Sequence, residues 1–366
     1  MILIVIAVAP FWSACQSPVS VERQKAAEKW GQVRADVTCR LAEQALRNGS
    51  LDDARAKLET VLQTAPQHET ARLLLVRVLI EQGEMDAAVT VLKSFDAADP
   101  PNPAAAYLMG VVAEMDQRYA DAAGHYVTAA RTVPTHLPYV VAAVEAMLSG
   151  EDARGARRFL ASIKPPESPT SEWHGLLAEV AREENDYAAA IVEYERALTM
   201  VSSSAPERVS ELQWRLATAY QAAGQFGDAV RMLEQILADD DAENRSGALD
   251  QIVRCHLALN DVDGAVRAVD RMEPDGPAAA ESRLLVARDL IEASDYAFAG
   301  RQIDAVLTIH PDHADALMLK TLCGIRNGDR PAAESALRRW QSSHPDDPMI
   351  AAMRFSTSNS SRTADD

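Results

Sequence analysis

One small residue recurs along this chain at a nearly fixed step, and that recurrence limits the folds open to it more than any other feature. Ala54, Ala88, Ala122, Ala156 and Ala190 lie 34 residues apart, and Ala229, Ala265, Ala299 and Ala333 continue the series at steps of 39, 36, 34 and 34. Five of these alanines have a proline twelve residues later: Pro66, Pro100, Pro134, Pro311 and Pro345. Five residues before the alanine stand Gly49, Gly83, Asn185, Gly224, Asn260 and Gly328, residue types that tolerate the left-handed conformation at a helix stop. Bulky residues flank the mark, three before it (Leu51, Met85, Tyr119, Tyr187, Phe226, Val262, Tyr296) and four after it (Leu58, Leu92, Tyr126, Leu160, Tyr194, Leu233, Val269, Ile303, Leu337). The unit is therefore a stop, a short amphipathic helix with Ala near its start, and a breaker. Two short helices cannot bury their apolar faces alone, but stacked pairs bury them on one another. A leucine in place of Ala88 would overpack that contact by about 1–3 kcal/mol.

This pattern resembles the tetratricopeptide repeat family, whose unit is about 34 residues of helix, turn and helix. The small residue the family carries in helix A is matched by Ala42, Gly110, Ala178, Ala217 and Ala287, and more loosely by Val76, Val144, Val253 and Thr321. The early tryptophan of helix A is missing from every unit. The resemblance implies an all-α, right-handed solenoid of nine repeats over residues 35–347, with capping helices at both ends.

The N-terminus reads as an address. "MILIVIAVAPFWSACQSP" opens with an apolar run, Ile2 to Val8, of signal-peptide length and far short of the roughly 20 residues that span a bilayer. Ser13 and Ala14 then lead directly into Cys15. This resembles the lipobox of bacterial lipoproteins, although Trp12 stands where that family has leucine and no Lys or Arg precedes the apolar run. The resemblance implies cleavage of residues 1–14, acylation of Cys15 and, with Gln16 rather than Asp next, an outer-membrane anchor facing the periplasm. The alternative is a cytoplasmic adaptor whose first fifteen residues are wrongly assigned. Residues 15–34 are expected to form a polar capping segment, with Trp30 and Val33 packing on the first repeat. A bend is expected at the loop 201–208, a closing helix at 348–355 and a disordered tail at 356–366.

Composition adds exclusions. The net charge is −18 and the pI about 4.9, and no basic stripe with interleaved aromatics is visible, so nucleic acid is not an expected partner. Cys39, Cys255 and Cys323 sit among apolar residues in predicted helices and read as small buried hydrophobes. His310 and His313 fall at a junction between helices, and Glu183, Glu184 and Asp239 to Asp241 read as solvated turn ends. No phosphate loop, GxSxG or HExxH is present. No catalytic residue, metal, cofactor or small-molecule substrate is expected.

Function is then expected along the A helices, which line the concave face of such a solenoid. From the family, helix-A positions facing the groove include Leu73, Tyr107, Val141, Trp214, Leu284 and Met318, with Arg77, Arg254 and Arg288 one turn further on. Two readings stay open: these residues are half-buried between helices, or they form an apolar stripe gripping a peptide or partner helix, led by Tyr107 and Trp214. Too few basic residues stand at the matching places for a clamp on C-terminal carboxylates. A remote alternative is a glycan-acting enzyme using Glu145 and Glu179.

Overall fold

The computed structural model describes residues 18–95, 100–166, 169–202, 205–238, 245–274 and 276–359. Cys15, and with it the lipidation expected there, lies outside the described residues. The described residues form helices and no strand. The chain divides into two compact units between Lys164 and Pro165, in the proline-rich stretch between the helices Ala153–Ser162 and Ser171–Glu183.

The first unit holds four helix pairs: α1 (Pro18–Arg47) with α2 (Leu51–Thr64), α3 (Glu69–Glu81) with α4 (Met85–Leu92), α5 (Pro103–Met115) with α6 (Tyr119–Thr132), and α7 (Leu137–Ser149) with α8 (Ala153–Ser162). The second holds five pairs and a closing helix: α9 (Ser171–Glu183) with α10 (Tyr187–Met200), α11 (Pro206–Ala222) with α12 (Phe226–Ala238), α13 (Arg245–Ala258) with α14 (Val262–Val269), α15 (Pro277–Glu292) with α16 (Tyr296–Ile309), α17 (Ala314–Asn327) with α18 (Arg330–Ser343), and α19 (Met349–Asn359). Every second helix of a pair starts three residues before its alanine mark. All nine marks are buried, at 0% exposure for eight of them and 1% for Ala333.

The turn inside each pair has one geometry. The residue five before the mark has positive φ in all nine pairs: Gly49, Gly83, Gln117, Glu151, Asn185, Gly224, Asn260, Ser294 and Gly328. In eight of them the next N–H donates to the carbonyl five residues back, as Ser50 does to Ala45 and Asp186 to Ala181, both at 2.9 Å. That bond closes the first helix in the Schellman manner. The second helix is then capped by a side chain in five pairs. Asp152, Asp186, Asp261, Asp295 and Asp329 each accept from the backbone N–H three residues on, at 2.8–3.2 Å, which satisfies a donor that helix geometry leaves open. Four prolines stand two residues past a helix end, Pro66 after α2, Pro134 after α6, Pro311 after α16 and Pro345 after α18, where a helix cannot continue.

Two details differ from the expectations above. The capping segment and the first A helix are one continuous α1, and Trp30 is 74% and Val33 43% exposed rather than packed on the first repeat. No Pro lies inside α1 after its first residue, so nothing separates a cap from a repeat helix. The closing helix runs to Asn359, four residues into the stretch read as tail.

Candidate functional site

The A helices place the expected groove residues as follows. In the first unit Leu73 on α3, Tyr107 on α5 and Val141 on α7 are each half-buried, and Arg77 is exposed, making no ion pair among the described residues. Tyr107 is not a free anchor. Its ring lies 5.2 Å from that of Tyr126 on α6 and 5.4 Å from that of Tyr139 on α7, and Tyr139 in turn meets the His136 ring edge-on at 4.2 Å. These tilted and edge-on contacts suit the charge distribution of aromatic rings. They tie three helices together and leave part of Tyr107 facing outward.

Tyr126 shows why the sequence folds this way locally. It stands four residues after Ala122, is buried, and its ring lies directly over Gly110: a Cβ built there would fall 2.4 Å from the ring. Its hydroxyl donates to Glu114 Oε2 at 2.7 Å. Burial first, then that carboxylate, raise the phenol's pKa, so it stays a neutral donor. The equivalent Tyr194, four after Ala190, donates to Glu179 Oε1 at 2.5 Å. Tyr220 donates to Glu195 at 2.6 Å, and burial together with that bond pushes its pKa up to about 12.

In the second unit Trp214 on α11 and Met318 on α17 are half-buried and pack against the same core that contains Leu284 of α15, itself only 4% exposed. These three therefore hold helices together and leave only a fraction of their surface to solvent, Leu284 almost none. Arg254 and Arg288 are exposed. Arg254 Nε bonds Asp250 Oδ2 at 2.8 Å, and Arg288 stands 3.9 Å from Asp315.

Glu179 gathers a polar cluster in this unit. Oε1 accepts from Tyr194 and Arg215, and Oε2 accepts from Arg182 Nε and Nη2 at 3.1 and 3.0 Å. Burial acts to raise its pKa, but the Tyr194 hydrogen bond and the Arg215 charge outweigh it and hold the carboxyl below the usual range. A carboxylate so held cannot serve as a general acid near neutral pH. Glu145 is exposed on α7 and belongs to the other unit. Arg182 and Arg215 were not singled out from sequence. The signal available was Arg215 standing 36 residues after Glu179, one helical turn before Thr218, the equivalent of Glu179 across the longer step of 39.

Cys39, Cys255 and Cys323 are free and buried, and burial raises each thiol's pKa. Among the described residues no group of three or more His, Cys, Asp or Glu side chains could hold a metal ion, and no helix is long and apolar enough to cross a membrane. The His310 and His313 rings stand 6.4 Å apart at the α16–α17 junction.

Tetratricopeptide repeat models match residues 45–111, 170–242, 215–280 and 284–348. Together they span more than half of the chain, which belongs to the tetratricopeptide repeat family. Repeats of this kind serve as scaffolds that bind other proteins or peptides. Among solved structures the chain is similar to a tetratricopeptide repeat protein from Parabacteroides merdae (14% identity, 65% of this chain and 91% of that one, TM-score 0.46). It is likewise similar to the C-terminal part of a repeat protein from Cytophaga hutchinsonii (11% identity, 77% and 98%, TM-score 0.47) and to Pseudomonas aeruginosa pilF (16% identity, 69% and 97%, TM-score 0.39). No curated protein matches the chain.

Proposed function

We propose that this protein is a non-catalytic scaffold of a bacterial cell envelope, held to a membrane by acyl chains on Cys15 and binding partner proteins along its A helices. The observation that carries the scaffold reading is the repeat itself. Nine helix pairs account for nearly all the described residues, and the sequence motifs and side-chain clusters within them serve packing. What the A helices offer outward is, in the first unit, the partly exposed Leu73, Tyr107 and Val141 with the exposed Arg77, and, in the second, the partly exposed Trp214 and Met318 with the exposed Arg254 and Arg288. That combination suits an extended or helical segment with apolar anchors and acidic flanks. Glu179, the carboxylate a glycan-acting enzyme would need, is engaged by two arginines and a tyrosine.

The anchor reading rests on the run Ile2 to Val8 followed by Ser13, Ala14 and Cys15. Several acyl chains anchor stably where a single one is marginal, at about 0.8 kcal/mol per buried CH₂. The outer membrane, facing the periplasm, is the site that Gln16 favours. Metabolic labelling with an acyl-chain analogue tests this. Label present in wild type and absent in Cys15→Ser supports it, and no label in wild type returns the protein to a cytoplasmic adaptor. Affinity purification from membranes then supplies a partner, and titration calorimetry of Tyr107→Ala and Trp214→Ala against it tests the groove. Unchanged affinity in both variants removes these faces from consideration.

A further inference from the structure

α1 carries two apolar stripes. Ala35, Cys39, Ala42 and Ala45 are buried in the core formed with α2 and α3. Trp30, Val33, Val37 and Leu41 recur at steps of three and four, so they share the other face of the helix. They are 74%, 43%, 42% and 49% exposed. No other helix carries more than two exposed large apolar side chains among the described residues. A Trp, two Val and a Leu in one row facing water are unfavourable unless something covers them.

The charges beside this stripe are uneven. Lys29, Arg34 and Arg40 border it, are exposed and make no ion pair among the described residues. The acidic Asp36 and Glu43 are engaged elsewhere, Asp36 Oδ1 with His68 Nε2 at 3.2 Å and Glu43 with Arg47 at 3.3 Å. Glu22 lies about two turns before Trp30. A basic-edged apolar row thus stands out on a chain of net charge −18.

We infer that this face of α1 lies on an anionic phospholipid surface, with Trp30, Val33, Val37 and Leu41 entering the headgroup layer and Lys29, Arg34 and Arg40 meeting lipid phosphates. An amphipathic helix with Trp and Leu on one side and Lys and Arg at the edges binds in this way. A second copy of the chain is the poorer occupant. Four partly exposed side chains offer a few hundred Å², against the roughly 800 Å² per partner of a stable interface, and two strongly acidic chains repel. The inference rests on the envelope reading above: Cys15 precedes the start of α1 by three residues, so an anchor there brings this helix to the bilayer. A short amphipathic face and an acyl anchor then act as paired signals, each reinforcing the other.

The test places a polarity-sensitive fluorophore at position 37 of the mature, full-length protein through Val37→Cys. The native Cys39, Cys255 and Cys323 are buried, and Met115→Cys, at another exposed site, serves as the control. Both are reconstituted in vesicles of phosphatidylcholine with or without phosphatidylglycerol. In phosphatidylglycerol vesicles, iodide quenching at position 37 is expected to fall by a factor of about three or more, as for a helix sunk in the headgroup layer, while position 115 stays open to iodide. Combining Lys29→Glu, Arg34→Glu and Arg40→Glu is expected to restore quenching at position 37 without releasing the protein from the vesicles. Equal quenching at both positions overturns the inference. Shielding that survives the charge reversal but disappears when the protein is diluted in the bilayer overturns it in favour of self-association. A chain recovered without acyl groups counts against the anchor alone. Made with Cys15→Ser so that position 37 alone takes the label, and added to the same vesicles, it still shows or lacks shielding there, so the two readings fail separately.

Discussion

Gly324 and Gly300 sit one repeat helix apart in the second unit, and the same substitution should move stability in opposite directions at the two. Gly324 is on α17 where α18 crosses it. A Cβ there would lie 2.8 Å from the Ala333 backbone nitrogen, 2.9 Å from its Cβ and 3.0 Å from its Cα. Backbone atoms cannot swing away as a flexible side chain can, so Gly324→Ala must push the two helices apart. Overpacking of this kind costs about 1–3 kcal/mol, and the better helix propensity of Ala returns about 1 kcal/mol. The net is a loss of about 1 kcal/mol. At Gly300, inside α16, the added Cβ would meet only Lys320 Nζ at 3.8 Å, an ordinary contact, so Gly300→Ala keeps the propensity gain of about 1 kcal/mol. The two variants should differ by about 2 kcal/mol. Urea unfolding followed by far-UV circular dichroism reads this. Repeat arrays need not unfold in one step, but both residues belong to the α16–α18 region, so they are compared in the same transition. A Gly324→Ala protein as stable as Gly300→Ala would refute the close helix crossing, and with it the reason a small residue marks every repeat.

Other substitutions test the turns and the polar cluster. Gln117, Glu151 and Ser294 hold a conformation that costs a non-glycine residue about 1–2 kcal/mol, so Gly at each should stabilise by about 1 kcal/mol in thermal or urea unfolding. No gain at any of the three would refute the strain. Asp152→Ala and Asp261→Ala remove N-caps and should each cost about 1 kcal/mol, while Asn at the same places restores most of it; equal stability of Ala and Asn variants counts against the caps. Glu179→Gln removes the buried carboxylate that Arg182 and Arg215 share, leaving Arg182 only Glu183 and Arg215 only Glu211, and should cost about 1–2 kcal/mol at pH 7. Because the folded-state pKa of Glu179 is depressed below 4.5, its contribution is present above that unfolded value and is lost as pH falls through the lower folded value. Wild type and Glu179→Gln should therefore converge in stability below pH 4.5; a constant difference down to acid unfolding contradicts the assignment.

What sequence makes legible in such a chain depends on whether a feature repeats. The alanine marks, the helix starts three residues earlier and the burial of all nine follow from phase alone. Phase also finds the α7–α8 pair at Ala156, a stretch that the family models pass over between residues 111 and 170. The left-handed stops were visible only where Gly or Asn fills them. Gln117, Glu151 and Ser294 adopt the same geometry with residues whose type does not announce it, because the Schellman bonds on both sides over-determine the turn. Side-chain partnership was less legible than register. Tyr107 and Trp214 stand on A helices, yet whether such a residue faces outward or a core depends on rings and residues brought from other helices, Tyr126 and Tyr139 in one case and the core around Leu284 in the other. α1 shows the same limit from the other side. Its sequence contains two apolar stripes, and periodicity says only that both exist. The stripe of Ala35, Cys39 and Ala42 is narrow and small enough for α2 and α3 to approach. A helix packed through alanine brings its neighbours close, and that closeness leaves no room for Trp30, Val33, Val37 and Leu41 on the same side. The small-residue rule that builds the stack is thus also the reason these four larger side chains point out of it.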